Sequence, residues 1–96
     1  MAIEYEFHFN YSDTDGEFSN YLKTLPNFHK YDKNDFAFIY KKPENKNSEA
    51  VIKLTDSGLH LIDYLTSIGR DLIGIIVEYV TGISDNVIIE EKDKYL

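Results

Sequence analysis

The chain has no cysteine. That removes disulfides, thiolate chemistry and thiolate zinc sites together, and it suits a reducing compartment. Long apolar runs are also missing. The longest, Leu72 to Val80, is interrupted by Gly74 and Glu78 and is far too short to span a bilayer. The opening residues, Met1 to Glu6, lack both the basic and the apolar region of a secretory leader, so a cytoplasmic protein without membrane contact is expected. Glycine is sparse. Gly58, Gly69, Gly74 and Gly82 stand too far apart to cradle a pyrophosphate, and no G-x-S-x-G nucleophile elbow occurs. Positive charge is short as well: ten Lys and Arg face seventeen Asp and Glu, a net of −7.

The charge deficit is uneven. Residues 1–22 hold Glu4, Glu6, Asp13, Asp15 and Glu17 with no basic residue, a net of −5. Residues 23–53 carry seven Lys and a net of +3, and residues 54–96 return to −5. Such a surface repels nucleic acid and anionic membrane and steers basic partners toward it.

What is present is enough for a folded domain. Apolar residues make up 43% of the chain and aromatics 15%, against disorder. Neither an internal repeat nor a linker is visible, so residues 1–96 read as one domain. Ile3, Tyr5, Phe7, Phe9 and Tyr11 alternate with Glu4, Glu6, His8 and Asn10, the period of a half-buried strand whose other face is acidic and wet. Ser12 to Gly16 stops that strand and offers helix-capping side chains. Phe18, Tyr21, Leu22 and Leu25 follow a helical spacing that Pro26 ends. Residues 26–34 read as a polar loop. A second strand alternates Phe36, Phe38 and Tyr40 with Ala37, Ile39 and Lys41; a third runs from Ala50 to Thr55; Asp56-Ser57-Gly58 makes a hairpin into a fourth, Leu59 to Leu65.

Ile68, Leu72, Ile75, Ile76, Tyr79 and Ile83 keep a helical spacing through a segment rich in β-branched residues. Length favours the helix, with Thr66 or Ser67 as its cap, and Gly69 and Gly74 are expected to allow close packing on the sheet. Val87-Ile88-Ile89, followed by Glu90 and Glu91, reads as a last strand with a charged, frayed tail. The order β-α-β-β-β-α-β predicts an α+β fold: an antiparallel sheet of about five strands with two helices packed on one face.

No chemistry-bearing motif emerges. Asp13-Thr14-Asp15-Gly16 hints at a calcium loop, but the EF-hand frame puts Tyr11 and Leu22 where oxygen ligands belong. The bland reading is a turn and helix cap. His8, His29 and His60 share no metal-ligand spacing, with His8 on a solvent face, His29 in a loop and His60 beside the hairpin. Lys30, Lys33, Lys41, Lys42 and Lys46 surround Phe28 and Tyr31, the combination nucleic-acid binding needs, yet the acidic balance opposes phosphate contact. The eight tyrosines suit core packing, with Tyr21, Tyr31, Tyr64 and Tyr95 as candidates for a contact surface. No catalytic residue, metal or cofactor is expected, and hence no enzyme.

The expected function is that of a small acidic binding protein that occludes a basic protein partner. In format, though without a diagnostic motif, the chain is similar in kind to bacterial immunity proteins, which neutralise toxins such as nucleases. A nuclease groove lined with Lys and Arg can be filled by carboxylates. The residues expected to do so are Glu4, Glu6, Asp13, Asp15, Glu17, Glu78, Glu90 and Glu91. A phage-encoded mimic of nucleic acid would use the same physics. The alternative of another class is a small ligand-binding or catalytic domain whose pocket the sequence does not reveal.

Overall fold

In the computed structural model, which describes residues 2–11 and 16–94, the elements run β1 (Ala2–His8), α1 (Glu17–Lys23), β2 (Phe28–Asp32), β3 (Ala37–Tyr40), β4 (Ala50–Thr55), β5 (Gly58–Asp63), α2 (Ser67–Ile83) and β6 (Ile88–Lys94). The strands form one antiparallel sheet in the order β2-β3-β4-β5-β1-β6, and both helices lie on the same face of it. This is the expected α+β architecture, with six strands where about five were expected.

Alternation along the strands builds the core. Tyr5 and Phe7 stand opposite Leu61 and Leu59; those face Ile52 and Leu54 on β4, and Phe38 and Tyr40 continue the layer on β3. Onto it α2 lays Ile68, Leu72, Ile76 and Val80, a buried stripe at spacing of four. Ile75 and Tyr79 are half-buried and Ile83 is exposed, so the stripe is narrower than the sequence period implies. The cap of α2 is Thr66, whose hydroxyl accepts from Gly69 N at 3.3 Å.

The shorter α1 buries Phe18 and Leu22 and has Gly16 at its N-cap in the left-handed region, with no side-chain cap bond. The expected capping residues Ser12, Asp13, Thr14 and Asp15 lie outside the described residues. At its other end the Leu22 carbonyl accepts a 2.6 Å bond from the Tyr40 hydroxyl. A helical partner for that carbonyl would be the N–H of residue 26, which is proline and has none. Tyr21 and Tyr79 stack at 3.8 Å between the two helices, and Tyr31 packs on Phe38 at 4.7 Å. These rings serve packing, as does Phe28 against Tyr40. Tyr64 is exposed, and Tyr95 lies outside the described residues.

Several expectations need correction. Residues 28–32, read as loop, form the edge strand β2, with a register shift between Phe28 and Lys30 that blurs its period; His29 is therefore a strand residue. Phe36 does not begin a strand face. It sits in the β2–β3 turn at φ 54° and is 68% exposed. The fourth strand ends at Asp63, and Leu65 (φ 62°) turns the chain toward α2, its N–H held by the buried Asp63 carboxylate at 2.8 Å. Gly69 packs closely, since an added Cβ would lie 2.0 Å from Asp63 Oδ1, but Gly74 is exposed with nothing near it. The charged end is strand rather than a frayed tail: β6 runs from Ile88 to Lys94, as charge is tolerated on an edge strand.

The β4–β5 hairpin closes through Asp56 and Ser57, with Thr55 opposite Gly58. Gly58 is needed there for two reasons. Its φ is 153°, and a Cβ at this position would lie 1.8 Å from the Phe7 carbonyl oxygen of β1. Among the described residues, no helix is long and apolar enough to cross a membrane.

Candidate functional site

The strand order turns the charge blocks of the sequence into two halves of one sheet. The basic block supplies β2, β3 and most of β4, and the acidic blocks supply β5, β1 and β6. Because β1 lies between β5 and β6, residues from the two ends of the chain become neighbours on the face the helices leave uncovered.

Period two places Glu4, Glu6 and His8 on that face. Beside them β5 contributes His60 and β6 contributes Glu90 and Lys92. Glu6 stands directly opposite His60 on one side and Glu90 on the other. Two like charges facing across an antiparallel pair are destabilising unless a cation lies near. Here several do. Lys92 Nζ donates to Glu6 Oε1 at 3.2 Å, and His8 Nε2 lies 3.1 Å from Glu90 Oε1 and 3.6 Å from Glu6 Oε2. One row along, His60 Nε2 is 2.6 Å from Glu4 Oε1, whose side chain is only 15% exposed. The bond from Lys92, then its charge, holds the Glu6 carboxyl below the usual carboxylate range, and His60 and His8 act in the same direction.

His8 is the least settled member. Its Nδ1 is 3.1 Å from the Ser57 hydroxyl at the hairpin. Its Nε2 is buried and makes no hydrogen bond, although carboxylate oxygens lie near it. Glu6, His8 and Glu90 each offer one ligand atom, all within 4.8 Å of one another, so this is a set that could hold a metal ion. A search for helical ligand spacings does not find it. The strand period of Glu6 and His8 is legible in sequence, while the approach of Glu90 depends on the register of β6 against β1.

The eight expected contact residues do not form one patch. Glu4, Glu6 and Glu90 come together on the uncovered face. Glu91, opposite Tyr5, points to the helix side of the edge strand. Glu17 starts α1 and Glu78 is on the exposed side of α2, both in the helical layer. Asp13 and Asp15 lie outside the described residues. Of the histidines, His8 and His60 both flank Glu6, and His29 is on β2 at the far edge.

Two open depressions bear on a ligand-binding alternative. One, of about 660 Å³, is bordered by Asn45, Asn47, Glu49, Tyr64 and Thr66. Its Glu49 is built into the loop, accepting from Lys42 N at 2.8 Å. The other, of about 600 Å³, runs between Pro26 and α2 past Arg70, Asp71 and Glu78. No family model matches the chain, and neither a curated protein nor a solved structure is significantly similar to it.

Proposed function

We propose that this chain is a cytoplasmic binding protein that neutralises a basic protein partner, in the manner of an immunity protein against a nuclease toxin. The observation that carries the reading is the direct pairing of Glu6 with Glu90, which joins the two acidic blocks on an uncovered sheet face. A cationic side chain arriving beside Glu90 adds to the partial compensation that Lys92 gives Glu6, and the net charge of −7 steers it there. The engagement of Glu4 by His60 and of Glu6 by Lys92 sharpens the assignment. Glu90, half-exposed at 51%, is the carboxylate best placed to meet an incoming Arg or Lys, with Glu6 behind it.

The test uses the chain as bait in its native host, beside a Glu6→Lys/Glu90→Lys variant shown to fold. A basic protein that the wild type retains should be lost from the variant and released by salt, since screening weakens steering between exposed charges. Retention of the same partner by both baits, indifferent to salt, would overturn the reading and leave shape and apolar contact as the mode of recognition.

A further inference from the structure

We propose that Glu6, His8 and Glu90 form a binding site for a divalent transition-metal ion of the zinc class. Two of the three separations fit. With metal–ligand bonds of about 2.1 Å, two ligand atoms lie roughly 3.0 Å apart at a right angle and roughly 3.4 Å apart at the tetrahedral angle. His8 Nε2 stands 3.1 Å from the Glu90 oxygen and 3.6 Å from the Glu6 oxygen, and all three ligand atoms fall within 4.8 Å.

The surroundings prepare the donors. His8 Nδ1 lies 3.1 Å from Ser57 Oγ, and in the tautomer that donates Nδ1–H to this hydroxyl, the one a metal on Nε2 would select, the Nε2 lone pair is left on the side of the two carboxylates. That nitrogen is buried and makes no hydrogen bond. Glu6 divides its oxygens: Oε1 takes Lys92, and Oε2 is the one turned toward His8. In that tautomer lone pairs converge without a proton between them and repel, and a doubly charged cation among one neutral imidazole and two carboxylates balances the charge of its three ligands. An imidazole donor favours zinc and its neighbours over magnesium or calcium, which take oxygen ligands. Three protein ligands leave a fourth position for water.

The site goes beyond partner binding, and its test needs no partner. Chelator-stripped full chain is titrated with zinc by calorimetry, while NMR follows the three imidazole rings. We expect one equivalent of zinc to bind, the His8 ring signals to move and those of His29 to stay. His8→Gln should abolish uptake. Ser57→Ala, which only loosens the ring, should weaken it by about tenfold, and Glu90→Gln by at least as much. Glu90 is exposed on an edge strand, so its variant tests the ligand even if His8→Gln fails to fold. Absence of zinc uptake by the wild type would overturn the proposal. So would uptake that survives Glu90→Gln unchanged, movement of His29 in place of His8, or a His8 ring that titrates with acid but ignores zinc.

Discussion

Tyr40→Phe removes one oxygen atom, and its consequence can be worked through. The Tyr40 ring is fully buried on β3, and its hydroxyl donates to the Leu22 carbonyl at the end of α1. Pro26 deprives that carbonyl of the usual helical donor, so phenylalanine leaves a buried acceptor with nothing to bond. Such an orphan costs about 1–3 kcal/mol. For a domain of this size, about 2 kcal/mol corresponds to a fall in Tm of about 10 °C. With a urea dependence of about 2 kcal/mol/M, the midpoint should drop by about 1 M at unchanged slope.

The same substitution has a signature in alkali. Burial, and then the neighbouring Tyr21, push the Tyr40 phenol above the ordinary value of 10.0. A group whose folded pKa is raised holds its proton more tightly in the native state. Its contribution is complete below about pH 10 and is lost as pH climbs from there toward the folded value. The wild type should therefore lose stability steeply above pH 10, and Tyr40→Phe less steeply. Tyr21, itself raised by burial, Tyr79 and Glu78, should keep some of the slope. The measurement is a set of urea melts by circular dichroism between pH 7 and strong alkali. A variant within about 0.5 kcal/mol of wild type at neutral pH would refute the reasoning, because a hydroxyl that matters so little cannot be satisfying a buried carbonyl.

Other substitutions test other parts of the argument. Gly58→Ala should destabilise by several kcal/mol or prevent folding, since the added methyl meets the Phe7 carbonyl at a positive φ; thermal melting reads it, and a near-neutral result would contradict the β1–β5 register. Phe36→Asn should raise stability by about 1 kcal/mol in urea melts, because asparagine tolerates the left-handed backbone that an exposed phenylalanine occupies. Glu49 has its carboxyl lowered by the Lys42 N–H, then by Asn45. Its contribution is present above about pH 4.5 and lost as pH falls through the folded value, so Glu49→Gln should flatten the acid side of the stability–pH curve.

Much of the fold is legible where one period dominates. β1 declares itself because its aromatic and acidic residues alternate without interruption, and α2 because a segment of its length suits a helix better than a strand. β2 is invisible for physical reasons. Five mostly polar residues at a sheet edge bury little, and the register shift beside His29 removes the alternation a reader would look for. The end of β6 is missed in the same direction, since its charged half bonds through the backbone to β1 whatever its side chains carry. The site is half legible. Glu4, Glu6 and His8 on one face follow from the period of β1 alone. That Glu90 arrives opposite Glu6, and His60 on the other side, depends on β1 being inserted between two strands that are distant in sequence. The same insertion makes β1 an interior strand; among the described strands the edges are β2 and β6.

The pairing of Glu6 with Glu90 offers a way to separate a working acidic face from one that only keeps the protein dissolved. Carboxylates facing each other on adjacent strands oppose the sheet to the extent that the Lys92 ammonium and the His8 ring beside them do not offset the repulsion. In the presence of chelator, Glu90→Gln removes that repulsion and also the 3.1 Å contact with His8. The contact is half-exposed and screened by solvent, so little is lost with it. The variant should therefore melt at slightly higher urea than the wild type while binding its cation, metal or partner side chain, more weakly. Stability and binding moving in opposite directions is the behaviour of a site maintained against the interest of the fold. Should Glu90→Gln instead lower stability and leave binding untouched, the carboxylate would belong to the sheet, as an ion pair of His8, and the acidic face would need no ligand to explain it.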